Sequence, residues 1–201
     1  FDTLPWADEI LEAMLEFDVL GFHTEQWADN FRACVLAHGR EESALPEIGV
    51  LPIGIDTTAF GPVVGAVDRE IAGLAATLGE RKLILGVDRL DYSKGIPERL
   101  LAIERLLERS PEWRNKISFV QVSVPSRAEV PEYAELREKV EKLVGQINGR
   151  FGEADWVPVR YLYRSYEHHV LTQLYRLADV ALVTQLRDHN LVLSYPLVTN
   201  Q

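Results

Sequence analysis

Arg89 and Lys94 stand between two stretches of opposite character. Ahead of them, Leu83-Ile-Leu-Gly-Val87 is a short apolar run that reads as a buried parallel strand. Behind them, apolar residues recur at helical spacing at Ile96, Leu100, Ile103 and Leu107. Gly95 lies just before that helix, and Pro97 falls in its first turn, where a missing N–H costs nothing. Two fixed cations beside a helix N-terminus suit a polyanion, most simply a diphosphate. The same residues also suit a plain surface turn in which Arg89 and Lys94 pair with Asp88, Asp91 or Glu98.

The elements that position this loop follow from the pattern along the chain. Asp8 to Leu20 reads as a helix in which Ile10 and Met14, then Leu11 and Leu15, share a face, and Phe17 to Phe22 as a short strand. Thr24 suits the cap of a helix carrying the apolar stripe Trp27, Phe31 and Val35. Ile48 to Ile55 reads as a strand, bent or frayed at Pro52 and Gly54. Asp56 to Val64 reads as a linker, which puts a domain boundary between segments 1–56 and 57–201. A helix from Val67 to Leu78 then stops at Gly79. Further strands are expected over Lys116 to Val124, Trp156 to Tyr163 and Val180 to Thr184. Helices are expected over Val130 to Ile147, closed by Asn148-Gly149, and over Tyr166 to Ala178.

That alternation predicts an α/β fold with parallel sheets covered by helices on both faces. Ligands of such sheets sit beyond the C-terminal strand ends. Arg89, Lys94, Arg127, Arg187 and Asp188 all fall just after strands, which favours the anion site over the plain surface turn.

Composition narrows the partners. The net charge is −10, from 31 acidic against 21 basic side chains, and argues against nucleic acid or an anionic membrane as partner. Cys34 is the only cysteine, no segment is apolar enough to span a bilayer, and the first residues do not read as a signal peptide. These features lead to the expectation of a cytoplasmic protein. Cys34, Trp27 and Trp156 suit packing positions, and His23 either lines a cleft or caps the next helix. His168-His169 suits solvated side chains better than a metal pair, because adjacent helical residues point apart. Glu132 to Lys142 reads as the wet face of a helix.

The segment Gly86-Val-Asp-Arg-Leu-Asp-Tyr-Ser-Lys-Gly-Ile-Pro-Glu-Arg99 resembles the phosphate-binding signature of the trehalose-6-phosphate synthase family. Thr3-Leu-Pro-Trp6, Gly21-Phe-His-Thr24 and Pro52-Ile-Gly-Ile-Asp56 resemble blocks from the end of that family's first domain. Pro125-Ser-Arg127, Ile147-Asn-Gly149 and Leu182-Val-Thr-Gln-Leu-Arg-Asp188 resemble blocks of its second. The family comprises retaining glycosyltransferases with two Rossmann-like domains, the GT-B arrangement. The resemblance implies that residues 1–56 close the acceptor-side domain and that 57–201 begin the nucleotide-sugar domain. It implies transfer of glucose from UDP-glucose, or another nucleoside diphosphate glucose, to glucose 6-phosphate, with no cofactor and no metal. Arg89 and Lys94 would be the catalytic cations on the donor diphosphate. Arg127 would meet the acceptor phosphate and Asp188 the hydroxyls of the donor glucose. Asn190, Leu191 and Val192 would meet the nucleotide. Charge grows on the leaving group as the glycosidic bond breaks, so fixed cations there act most strongly in the transition state.

The resemblance fails in places. After Asp188 the family continues Gly-Met-Asn-Leu-Val, whereas this chain reads His189-Asn-Leu-Val192, one residue shorter and with His189 for glycine. The family's ribose-binding Glu is absent, with Tyr195 or Pro196 near its place. An internal fragment that does not catalyse alone is therefore the expectation. Related readings are a glucosylglycerol-phosphate synthase-like enzyme, a pseudo-glycosyltransferase, or a catalytically dead regulatory or binding module. The state of association is left open, a homo-oligomer included.

Overall fold

The computed structural model describes residues 4–54, 56, 58, 66–127 and 129–184. The chain divides into two compact units, Phe1–Asp56 and Thr57–Gln201. Among the described residues no helix is long and apolar enough to cross a membrane.

In the first unit, α1 (Ala7–Leu15), β1 (Val19–Phe22), α2 (Glu25–Ala37) and β2 (Glu47–Val50) follow in order, and β1 pairs with β2 in parallel. The core gathers Leu11, Phe31 and Val35, with Met14, Leu20, Phe22, Cys34 and Ile48 packed against them. Helix α1 ends five residues before the expected Leu20, because the residues from Val19 are drawn into pairing with β2. Strand β2 stops at Val50, ahead of Pro52, which has no N–H for a ladder. Thr24 caps α2 as its type suggests, accepting from the Trp27 N–H at 3.2 Å. The stripe of α2 is Ala28, Phe31 and Val35, while Trp27 is 37% exposed, so the apolar face is rotated from the expected one. On α1, likewise, Leu11 is buried but Ile10 is exposed.

The second unit holds α3 (Arg69–Leu78), β3 (Lys82–Arg89), α4 (Ile96–Arg109), β4 (Ile117–Val124), α5 (Pro131–Phe151), β5 (Val159–Leu162), α6 (His168–Leu177) and β6 (Val180–Ala181). The four strands form one parallel sheet in the order β5-β4-β3-β6. Side chains alternate across it. Ile84 and Phe119 pack with Leu100, Ile103, Leu107, Val140 and Ile147 from α4 and α5. Leu83, Leu85, Val120 and Val122 face Ile71 and Leu78 of α3 and Val170 and Leu174 of α6. The sheet is therefore a middle layer with helices on both faces, the α/β class read from the sequence.

The chain steps outward from β3 to β4 to β5, then returns to place β6 on the other side of β3. That reversal makes a topological switch point between β3 and β6, and open α/β sheets usually hold their ligands beyond the C-terminal strand ends at such a point.

Several boundaries differ from expectation. Val67 is exposed and outside α3, which Asp68 caps by accepting from the Glu70 N–H at 2.8 Å. Helix α5 runs through Asn148 and Gly149 to Phe151 instead of closing there. Asn148 clasps β5, donating to the Val159 carbonyl at 2.8 Å and accepting from its N–H at 3.0 Å. Trp156 is buried, its indole N–H donating to the Ile117 carbonyl at 2.7 Å. The expected linker falls almost wholly outside the described residues.

Candidate functional site

The loop between β3 and α4 is pinned at both ends. Leu90 and Ile96 are buried in the core under α4 and α5, and the Leu90 N–H donates to the Val124 carbonyl at 2.8 Å. Between them Asp91 caps a 3₁₀ turn, Tyr92–Lys94. Its Oδ1 accepts from the Ser93 N–H at 2.9 Å and from the Ser93 hydroxyl at 2.7 Å. Gly95 then takes a left-handed conformation, φ 62°, which a side chain would strain, and α4 begins. Lys94 thus stands directly before the first turn of α4, whose N–H groups lack intrahelical partners, while Arg89 proves to be the last residue of β3 and not a residue after it.

Arg89 is exposed and Lys94 half-buried. Among the described residues neither makes an ion pair, so the alternative of a plain surface turn paired with Asp88, Asp91 or Glu98 is not adopted. The carboxylates are held elsewhere. Asp88 pairs with Arg99 at 2.7 Å. Burial pushes the Asp88 carboxyl above its ordinary value, against the pull of Arg99 and then Lys94. Burial also acts upward on Asp91, but Ser93, Tyr133 and Arg89 outweigh it and hold that carboxyl below its ordinary value.

A carboxylate of lowered pKa stabilises the native state above the unfolded value, and that contribution is lost as pH falls through the folded value. The turn carrying Lys94 should therefore stay ordered through the usual carboxylate range, near pH ~3.9, and loosen only below it. A carbon-13 titration of the Asp91 carboxyl is expected to show a midpoint below that figure. A midpoint at or above it would contradict the cap.

Arg127 follows β4 and also has a left-handed backbone, φ 46°. Its Nη1 donates to the Tyr133 hydroxyl at 3.2 Å, and Tyr133 donates to Asp91 Oδ2 at 3.0 Å. Arg127 is thereby tied to the same loop as Arg89 and Lys94. Tyr133 was not visible within the charge-rich stretch Glu132 to Lys142, yet it is buried, with burial and then Asp91 raising its phenol. Its spacing of one heptad to Val140 and again to Ile147, both buried, was the available signal.

Arg99 was also missed as a working residue. It is fully buried, with Nη1 donating to Gln121 Oε1 at 2.8 Å and Nε donating to the Thr184 hydroxyl at 3.0 Å. Gly86 makes room for it. Gly86 and Gln121 are cross-strand partners, and a Cβ at Gly86 would collide with Arg99 Nη1 and Gln121 Oε1.

Asp188, Asn190, Leu191 and Val192 lie outside the described residues, as does Arg187. Thr24 and not His23 caps α2; the His23 Nδ1 lies 3.2 Å from the Leu51 carbonyl. His168 and His169 are both exposed, and among the described residues no group of three or more His, Cys, Asp or Glu is placed to hold a metal.

A cavity of about 760 Å³ opens at the opposite, N-terminal edge of the sheet, lined by Arg81, Lys82, Arg114 and Lys116 among others, and the first three of these cations are engaged. Arg81 donates to Asn115 and Asp155, Lys82 pairs with Asp179, and Arg114 donates to the Leu107 carbonyl. The cations at the β3–α4 turn differ from these in standing beside the start of a helix, where the first-turn N–H groups also favour an anion.

The reversing parallel sheet with helices on both faces places the second unit in the doubly wound α/β class, and the chain's structural neighbours are GT-B trehalose-6-phosphate synthases, of whose fold it covers part. The chain belongs to glycosyltransferase family 20, whose model matches residues 1–201. It is 42% identical to alpha,alpha-trehalose-phosphate synthase [UDP-forming] 1 of Arabidopsis thaliana, over 99% of this chain and 22% of that protein. It is 41% identical to the Schizosaccharomyces pombe alpha,alpha-trehalose-phosphate synthase [UDP-forming], over 100% of this chain and 41% of that one. The chain thus spans well under half the length of these relatives.

Solved structures agree. An E. coli structure bound with UDP-2-fluoro glucose superposes with a TM-score of 0.84 at 36% identity, covering 94% of this chain and 44% of that one. A Burkholderia xenovorans alpha,alpha-trehalose-phosphate synthase in complex with glucose-6-phosphate gives 0.84 at 39% identity, covering 92% and 44%.

Proposed function

We propose that the second unit binds the donor of a retaining glucosyl transfer, in which glucose passes from UDP-glucose to glucose 6-phosphate to form trehalose 6-phosphate. One observation carries this reading: Arg89 and Lys94, in no ion pair among the described residues, stand at the C-terminal end of β3 and in the turn after it, where the sheet reverses. The relatives support the choice of ligands, since one is bound with a UDP-sugar analogue and another with glucose-6-phosphate. Lys94 and Arg89 would take the diphosphate, and the first-turn amides of α4 would share its charge. Neutralising that diphosphate makes UDP a better leaving group without calling on a metal. Arg127, steadied by Tyr133, would take the phosphate of the acceptor. Asp188 would hold the transferred glucose, with Asn190, Leu191 and Val192 against the nucleotide.

A second reading rests on the altered stretch after Asp188. His189 in place of glycine and the missing ribose Glu favour a module that holds nucleotide without transferring sugar. Calorimetric titration with UDP tests the shared step, and a coupled assay for UDP release with glucose 6-phosphate, in which the chain alone is expected to be silent, tests the second reading against any turnover. Saturable UDP binding is expected. Its absence would overturn both readings, and turnover would overturn the second.

A further inference from the structure

The Thr184 hydroxyl sits where three elements meet. It follows β6, accepts from Arg99 Nε of α4 at 3.0 Å, and lies 3.2 Å from the Lys94 carbonyl and 3.1 Å from the Gly95 carbonyl. A hydroxyl has one proton to donate and two lone pairs. With Arg99 Nε as donor to it, its own proton is shared between those two carbonyls. The Gly95 carbonyl also accepts the Arg99 N–H at 2.9 Å, which starts α4.

Arg99 is a rigid carrier for this contact. Its planar fork reaches Asp88 on β3, Gln121 on β4 and Thr184 after β6, and a buried guanidinium has no water to turn toward. Gln121 is fixed in turn, donating to the Val122 carbonyl at 2.9 Å. The position of the Lys94 backbone is therefore referred to three strands of the sheet and not only to its own loop.

We infer that Thr184, held by the buried Arg99, is a positioning residue that sets the Lys94–Gly95 turn against the sheet and so aims the loop cations. The inference rests on the nucleotide-sugar reading for its purpose, but the positioning itself is a property of the unliganded chain. The hydroxyl touches only protein groups, so its effect on ligand passes through Lys94 and α4.

The test compares Thr184→Val, which keeps the shape and loses the hydroxyl, with Thr184→Ser, which keeps the hydroxyl. Two readings are taken on the whole chain: the dissociation constant for UDP by calorimetry, and amide hydrogen exchange without ligand. Thr184→Val is expected to weaken UDP about five- to tenfold, the size of one lost hydrogen bond. It is also expected to speed exchange at the Lys94 and Arg99 amides while leaving those of β4 unchanged. Thr184→Ser is expected to restore both. If loss of the hydroxyl lowers overall stability, Thr184→Ala, with room for a water beside Arg99 Nε, provides the same two readings. Unchanged exchange at Lys94 and Arg99, or equal impairment in the serine and valine variants, would overturn the inference. If the unsubstituted chain fails to bind UDP, the nucleotide reading falls, and the exchange comparison still decides the positioning.

Discussion

Replacing Lys94 by alanine should weaken UDP binding about ten- to a hundredfold, because a hydrogen bond to a charged group contributes about 1.5–3 kcal/mol. Lys94 is half-buried beside the start of α4, where solvent screens it less than an open surface would. Arg89→Ala should act in the same direction but more weakly, since Arg89 is exposed. Neither change should move the unfolding free energy by more than about 0.5 kcal/mol, as neither side chain forms an ion pair among the described residues. The pairing of lost affinity with kept stability, read by calorimetry and urea unfolding, separates a ligand-binding role from a structural one. A loss of stability with unchanged affinity would mean that the cations serve the fold.

Gly86→Ala should have the opposite profile. The new methyl would collide with Arg99 Nη1 and Gln121 Oε1, both on fully buried side chains that have nowhere to retreat. Overpacking costs about 1–3 kcal/mol, and separating a buried ion pair about 3–5 kcal/mol. A loss of about 3 kcal/mol in urea unfolding is therefore expected, with UDP binding falling as the loop loses its support. Gly73→Ala provides the control. Gly73 is exposed in α3 with nothing within 4 Å of an added Cβ, so alanine there should stabilise by about 0.5–1 kcal/mol. Equal, small effects at the two glycines would show that the Arg99 site is loosely packed.

The strand, turn and helix around Arg89 and Lys94 were legible because their signals are local. An apolar run, a glycine just before a helix and a first-turn proline each act within a few residues. The layered α/β class was legible for a related reason, the alternation of strand and helix patterns along the chain. Strand order was not, since nothing local says that β6 returns to β3. The reach of Asn148 to Val159 was hidden by the same distance effect, and its neighbour Gly149 resembled a helix stop.

Arg99 is more instructive. It lies three residues after Ile96 and four before Ile103, on the helical stripe that becomes the buried face. Its charge disguised it, because an arginine on an amphipathic helix is ordinarily at the surface. The clue lay in Gly86, a residue without a side chain in the middle of an apolar strand, which marks the close approach of another group. The donor-side candidates after Thr184 could not be placed at all, as they fall outside the described residues.

The most direct measurement is a titration of the isotopically labelled chain with UDP, followed by amide chemical shifts. Saturable shifts are expected along Arg89 to Ile96 and at Thr184, and they should vanish in the Arg89→Ala, Lys94→Ala double variant. Shifts centred instead on Leu78 to Lys82 and Trp113 to Lys116, around the cavity at the other edge of the sheet, would contradict the assignment of the β3–α4 loop as the diphosphate site.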